Sequence, residues 1–291
     1  MSSDILSILH SQAHTFSKGQ RLIAKYITES YDKAAFMTAS KLGKKVGVSE
    51  STVVRFAVEL GYDGYPSMQK AIQEMVLNRL TSVQRIEVAN DRMEGQDVIS
   101  TVLRADAEKL RQTEELLDRQ EFAKAVQAIL DTDRVYILGV RSAAPLANFL
   151  GYYLNYMSTN IHVVTTSGEG EMFEKIVAIK PEDVVIAISF PRYSSATVKA
   201  AQYCHAAGAT VIGLTDSRLS PLGQNADYVL EAKSDMVSLV DSLVAPMSVI
   251  NALVVAIAAK REQRLSKIFT SLEQIWDEYH VYEKQEGDNG L

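Results

Sequence analysis

Hydrophobic positions along this chain keep two different rhythms. Up to about residue 80 they recur every three or four residues, the spacing of helices that bury one face. Ser17 heads a run over 18–30 with Leu22, Ile23, Tyr26 and Ile27 in step, and Thr38 heads another. Gly61, Gly64 and Pro66 mark a turn, and an amphipathic helix is predicted over 67–80. No strand pattern occurs in this part. Residues 81–96 are polar and weakly periodic and read as a linker, followed by predicted helices over 97–117 and 120–130. On the first of these, Val98, Val102, Ala105, Leu110 and Leu117 form the expected buried stripe.

From residue 135 the rhythm changes. Short β-branched runs at 135–140, 161–166, 184–189, 210–215 and 228–232 alternate with helical stretches at 143–157, 169–179, 194–207 and 218–225. Runs without in–out alternation, separated by helices, call for parallel strands covered on both faces. Right-handed crossovers make that a doubly wound five-stranded sheet. The apolar segment 239–260 is expected between layers or at a subunit contact, and a last helix runs over 262–282. The expected fold class is α/β: an all-helical domain at 1–80, a helical linker at 81–124, the sheet domain at 125–265, and a terminal helix and tail at 266–291.

The most informative stretch is 39–58, ASKLGKKVGVSESTVVRFAV, which carries the steric pattern of a helix-turn-helix. Gly43 is small where two helices must cross closely, and Gly47 stands at the turn, where a left-handed backbone costs least without a Cβ. Leu42, Val46, Val48, Val53 and Phe56 are spaced to bring both helices onto one small core. Ser49 stands where the second helix needs an N-cap. Left facing outward are Ser49, Glu50, Ser51, Thr52 and Arg55, with Lys44 and Lys45 beside the turn. Short polar side chains at a helix N-terminus, with an arginine one turn on, suit entry into a DNA major groove.

Charge supports that reading through its distribution. The 291 residues carry a net −6, yet residues 16–58 hold eight Lys and Arg against three Asp and Glu. Residues 81–291 hold 20 against 29, so an acidic body carries a small basic head. The one cysteine, Cys204, excludes an internal disulfide and points to a reducing compartment. The N-terminus lacks the basic start and apolar run of a signal peptide, and no apolar stretch is long enough to span a bilayer, so the cytoplasm is expected.

In an open parallel sheet, ligands bind outside the carboxyl ends of the strands. The loops after the first and third runs place Arg141 and Ser142, and then Ser189, Arg192, Tyr193, Ser194 and Thr197, at helix starts. Hydroxyls, backbone N–H groups and an arginine together favour an anion. Ser167 adds a hydroxyl after the second run. There is no Gly-x-Gly-x-x-Gly, no Walker lysine and no His, Cys and Asp cluster with ligand spacing, so neither a dinucleotide, another cofactor nor a metal is expected.

The phrases FSKGQRLIAKYI and STVVRFAVELGYDGYP, with the helix-turn-helix between them, resemble the RpiR-type bacterial transcriptional regulators. The later part, with GVRSA and ISFPRYSSAT, resembles the sugar isomerase (SIS) domain that this family carries. The resemblance implies a homodimer or homotetramer that binds double-stranded operator DNA, its affinity altered by a phosphorylated sugar in the SIS domain. Many SIS domains read Ser-x-Ser-Gly-x-Thr where this chain has Ser189 to Ser194, so Pro191 and Arg192 replace a serine and a glycine. That exchange keeps an anionic ligand and adds a cation, which admits a carboxylated or other polyol. The alternative is a sugar-phosphate aldose–ketose isomerase with Glu169 or Glu171 as base, but both are read here as favourable charges in a helix's first turn, and no catalytic residue is assigned.

Overall fold

The computed structural model describes residues 12–79, 95–234 and 240–283 except 13, 159 and 167, together with positions 5, 8, 9, 83 and 86. It divides into two compact units, residues 1–101 with 236–241 and residues 102–235 with 242–291.

The first unit contains α1 (Lys18–Glu29), α2 (Tyr31–Ala34), α3 (Ala39–Val46), α4 (Glu50–Glu59) and α5 (Tyr65–Arg79). Each start has a local cause. Ser17 and Gln20 form a capping box on α1, Thr38 Oγ1 accepts from Lys41 N at 3.2 Å on α3, and Ser49 Oγ accepts from Thr52 N at 3.2 Å on α4. The core is built from Ile23, Ile27, Leu42, Val53, Phe56 and Met68, all fully buried, with Phe16 edge-on to Phe56 at 5.2 Å. Burying a side chain of this size is worth roughly 1.5–3 kcal/mol, so the small domain rests on these few contacts. The first turn and middle of α5 close the bundle through polar bonds. The Tyr65 hydroxyl donates to Met37 O at 2.6 Å, and Gln69 and Gln73 donate to the Ala35 carbonyl. Burial pushes the Tyr65 phenol up to about 12.

α6 (Val98–Leu116) opens the way to the second unit and α7 (Arg119–Asp131) precedes its sheet. The predicted apolar stripe on α6 is only partly buried. Of that stripe Val98 is exposed and Val102, Ala105, Leu110 and Leu117 are half-buried, whereas Lys109 and Thr113 are buried. Thr113 Oγ1 accepts from Lys233 N at 2.9 Å, so a polar contact to the chain just past the fifth strand orients this helix.

The sheet contains β1 (Val135–Leu138), β2 (Ile161–Val164), β3 (Val184–Ile188), β4 (Thr210–Thr215) and β5 (Tyr228–Glu231), parallel, in the order β2-β1-β3-β4-β5. The connecting helices are α8 (Ala144–Met157), α9 (Glu169–Ile176) and α10 (Ser195–Ala206), and α11 (Val244–Lys260) and α12 (Glu262–Glu278) follow the sheet. Every residue of β1 and β3 is buried, as strands covered on both faces require. Among the described residues β2 pairs only with β1, and His162 is exposed, stacked on Tyr136 at 4.9 Å.

One further expectation is corrected. No helix forms over 218–225, where only a single 3-10 turn, Gly223–Asn225, occurs. The Ser220 hydroxyl bonds to Thr215 Oγ1 at 3.0 Å and accepts from Gly223 N at 2.9 Å, and such side-chain bonds compete with the helical ladder. The segment expected between layers or at a subunit contact is helical over Val244–Lys260 and buries one face against the sheet domain. Ala245, Val249, Ile250, Leu253 and Ile257 are buried, while Val244 and Val255 are exposed.

Candidate functional site

In the first unit, α3 and α4 meet at a corner with no room for a side chain. A Cβ on Gly43 would lie 2.8 Å from the Val48 carbonyl oxygen, and Gly47 turns the chain at φ 77°. α4 buries Val53, Phe56 and Ala57 on one side and exposes Ser51, Val54, Arg55, Val58 and Glu59 on the other, with Thr52 half-buried. Ser49 does more than cap. Its hydroxyl also lies 2.9 Å from Ser51 Oγ and 2.8 Å from Thr52 Oγ1, so three hydroxyls form one cluster at the helix start.

Arg55 is exposed, its Nε donating to Ser51 O at 3.4 Å. Glu59, the residue best spaced to pair with it on the helix, accepts a bond from Gln20 Nε2 instead. Lys44 and Lys45 are exposed in the last turn of α3, where the helix dipole favours cations. Sequence reasoning missed Val54 and Val58, which are 37% and 55% exposed beside Arg55. Their apolar character hid them among core positions. An exposed methyl group on such a helix is the complement of a thymine methyl.

In the second unit the strand order reverses between β1 and β3, and the loops after these strands start level. Leu138 pairs with Ala187, and Ile188 pairs with Leu214. After β1, Arg141 and Ser142 are both exposed in a 3-10 turn, Arg141–Ala143. Arg141 adopts φ 56°, a left-handed conformation that costs a residue with a Cβ energy and persists only when its surroundings impose it.

After β3 the loop is built from its own side chains. Ser189 is buried and its Oγ accepts from Ser194 N at 3.1 Å, while Ser194 Oγ caps α10 by accepting from Thr197 N at 3.3 Å. Thr197 is fully buried, and its hydroxyl has no hydrogen-bond partner among the described residues. Arg192 is exposed. Tyr193 reaches across to the end of β4, its hydroxyl donating to Asp216 Oδ1 and Oδ2 at 2.9 and 3.1 Å. Burial holds the Asp216 carboxyl above the ordinary carboxylate range, against the lowering effect of the Tyr193 bond. Asp216 was not foreseen, since a lone acid after a strand carries no sequence signal. Ser167 lies outside the described residues.

Glu169 opens α9 and receives Lys199 Nζ at 2.9 and 3.0 Å, with Ser195 Oγ at 3.4 Å. The lysine lowers its pKa, which makes it a weaker base. Glu171 accepts a bond from Thr166 Oγ1. Among the described residues no group of three or more His, Cys, Asp or Glu is arranged to hold a metal ion.

Comparison with known proteins matches both halves. Residues 3–78 fit the helix-turn-helix domain of the rpiR family, and residues 128–256 fit the SIS domain. An HTH-type transcriptional regulator of Caldanaerobacter subterraneus subsp. tengcongensis is 24% identical over 263 residues, covering 89% of this chain and 92% of that protein. The sugar isomerase domain of an RpiR transcription factor from Sphaerobacter thermophilus is 30% identical, covering 62% of this chain and 99% of that one, with a TM-score of 0.59. The Vibrio vulnificus NanR protein, solved in complex with ManNAc-6P, shares the fold over 93% of this chain and 97% of its own at 20% identity, with a TM-score of 0.57.

Proposed function

This chain belongs to the RpiR family of transcriptional regulators, with a SIS domain behind its helix-turn-helix, and on that premise we propose that α4 reads an operator whose binding responds to an anionic sugar-type effector held at the carboxyl edge of the sheet. The observation that carries the DNA half is the division of α4 into a fully buried face and an exposed polar one, with Arg55 left in solvent by the Gln20–Glu59 bond. Arg55 contacts a base edge, Ser49, Ser51 and Thr52 line the same groove, and Lys44 and Lys45 bind phosphates. One recognition helix covers few base pairs, so the protein binds a near-palindromic site as a homodimer or homotetramer in the cytoplasm. Exposed aromatic and aliphatic side chains on α8, on α12 and just past its end, among them Tyr152, Phe269, Ile275 and Tyr279, supply a surface for that pairing.

The effector reading rests on the loops after β1 and β3. Arg141, Ser142 and Arg192 are exposed there, and Ser189, Tyr193, Ser194 and the unpartnered Thr197 hydroxyl shape the second loop, with Ser167 a further proposed contact. NanR, which has this fold, holds a phosphosugar, and that supports the compound class. Arg192 in place of a small residue favours a ligand with more negative charge, a phosphorylated or carboxylated sugar or polyol. We assign no catalytic role. Glu169, the nearest candidate base, is tied to Lys199 and held in its weakly basic state.

A gel-shift titration on DNA selected by the wild-type protein, run with and without a panel of phosphorylated sugars, polyols and sugar acids, tests both halves. One compound is expected to change operator affinity by about fivefold or more, a usual coupling for two linked sites. The same compound should stabilise the wild type against heat and not Arg192→Ala. No selected DNA would overturn the operator reading, and equal affinity with and without every bound compound would overturn the coupling. Isomerase turnover lost in Glu169→Gln would replace it with catalysis.

A further inference from the structure

α11 and α12 meet at a bend of 97°, and a groove of about 1090 Å³ opens at that corner. Its walls carry Lys260, Arg261, Arg264 and Lys267 against a single carboxylate, Glu262. Arg261 shows where the groove lies in the fold. Its guanidinium donates to Leu130 O at 2.8 Å and Met157 O at 3.4 Å. Leu130 is in the last turn of α7, just before β1, and Met157 ends α8, just before β2. The groove therefore sits at the amino edge of the sheet, opposite the loops that follow β1 and β3.

Arg261 has a structural role there, since cations are favoured at the last carbonyls of a helix. The other three do not pair away their charge. Among the described residues Lys260, Arg264 and Lys267 have no carboxylate at salt-bridge distance, and Arg264 Nε is buried with no hydrogen-bond partner. α12 also begins without a side-chain cap on its first N–H groups. Four cations around one concavity repel each other, and a buried unpaired guanidinium N–H is costly. One anion answers both.

We propose that this groove is a second anion site, which takes a small, multiply charged solute such as a phosphate- or pyrophosphate-bearing metabolite. The concavity is an open groove with room for a small solute, and its charge is concentrated within two turns of a helix corner. It is independent of the effector loops and does not rest on that reading.

The test uses the full-length protein with inorganic pyrophosphate as probe, followed by calorimetry and thermal shift at constant ionic strength. Saturable binding is expected in the wild type and unchanged in Arg192→Ala. In Arg264→Gln and in Lys267→Gln it should weaken about tenfold, the loss of one bond to a charged group. Lys267 is exposed, so its variant serves even if Arg264→Gln folds poorly. Wild-type affinity in Lys267→Gln, an equal thermal shift from sodium chloride at matched ionic strength, or binding abolished by Arg192→Ala would each overturn the proposal. The last result would move the pyrophosphate to the effector loops.

Discussion

Adding one methyl group at Gly43 tests the helix-turn-helix corner most directly. The new Cβ would lie 2.8 Å from the Val48 carbonyl oxygen and 3.4 Å from Glu50 N and Ser49 C. These are backbone atoms, which cannot swing aside as a flexible side-chain tip can. α3 and α4 must therefore part by a few tenths of an ångström. Two effects oppose each other. Alanine in place of glycine favours a helix by about 1 kcal/mol, whereas forcing a methylene into a tight contact costs typically 1–3 kcal/mol. The contact is closer than real Cβ atoms tolerate, so overpacking wins, with a net local destabilisation of about 1 kcal/mol. Gly47→Ala provides the contrast. Nothing lies within 4 Å of a Cβ there, and the cost comes from φ 77° alone.

The assay is amide hydrogen exchange on the intact protein, because the two units need not unfold together. Residues 39–58 should exchange about fivefold faster in Gly43→Ala than in wild type, the equivalent of 1 kcal/mol. Operator binding should fall further than that stability loss alone, since the corner sets the direction of α4. Protection equal to or greater than wild type in Gly43→Ala would mean that helix propensity prevails and that the two helices do not cross closely. The reasoning would then fail at its first step.

Arg55→Ala should cost about 1–3 kcal/mol against the selected operator and relax preference at one base pair, whereas Lys44→Ala should weaken all sequences alike and flatten the salt dependence; competition gel shifts at two salt concentrations separate them. Asp216 has a folded-state pKa above its unfolded value, so the stability it contributes is present below the ordinary carboxylate pKa and is lost as pH rises through the raised one. Asp216→Asn, which keeps an acceptor for Tyr193, should therefore melt above wild type near neutral pH, with the gap closing on acidification; a gap constant with pH in thermal melts would contradict this. Cys204 is buried and its thiol is pushed up to about 12 by desolvation, so iodoacetamide should leave it unmodified in the native protein and label it in denaturant, as mass spectrometry would show.

Much of the architecture was legible because it depends on local periodicity. The five strand runs, the turn at Gly47 and the caps at Ser17, Thr38 and Ser49 are each specified within a few residues. One failure came where a distant partner overrode the local pattern, and another where local bonds did. α6 has an apolar stripe, yet Thr113 is buried because the chain past β5 needs an acceptor there. Over 218–225 the cause is local: Pro221 and Gly223 disfavour a helix, and the Ser220 hydroxyl bonds to Thr215 and Gly223.

At the candidate sites the division is similar. Residue type and position alone marked Arg55, Ser49, Arg141 and Arg192, because helix starts and loops after strands are places where polar groups face solvent. Sequence could not reveal that Gln20 would draw Glu59 away from Arg55, that Tyr193 would lock onto Asp216, or that Arg261 would bring four cations to the opposite edge of the sheet. Those pairings join residues from 23 to 131 positions apart. By itself, then, the order of residues determined the elements, their ends and the two-part fold, since these follow from hydrogen bonds and burial over a few turns. Which charges stay free, and which edge of the sheet they reach, was decided only when strands 2-1-3-4-5 closed in register and brought distant side chains within bonding distance.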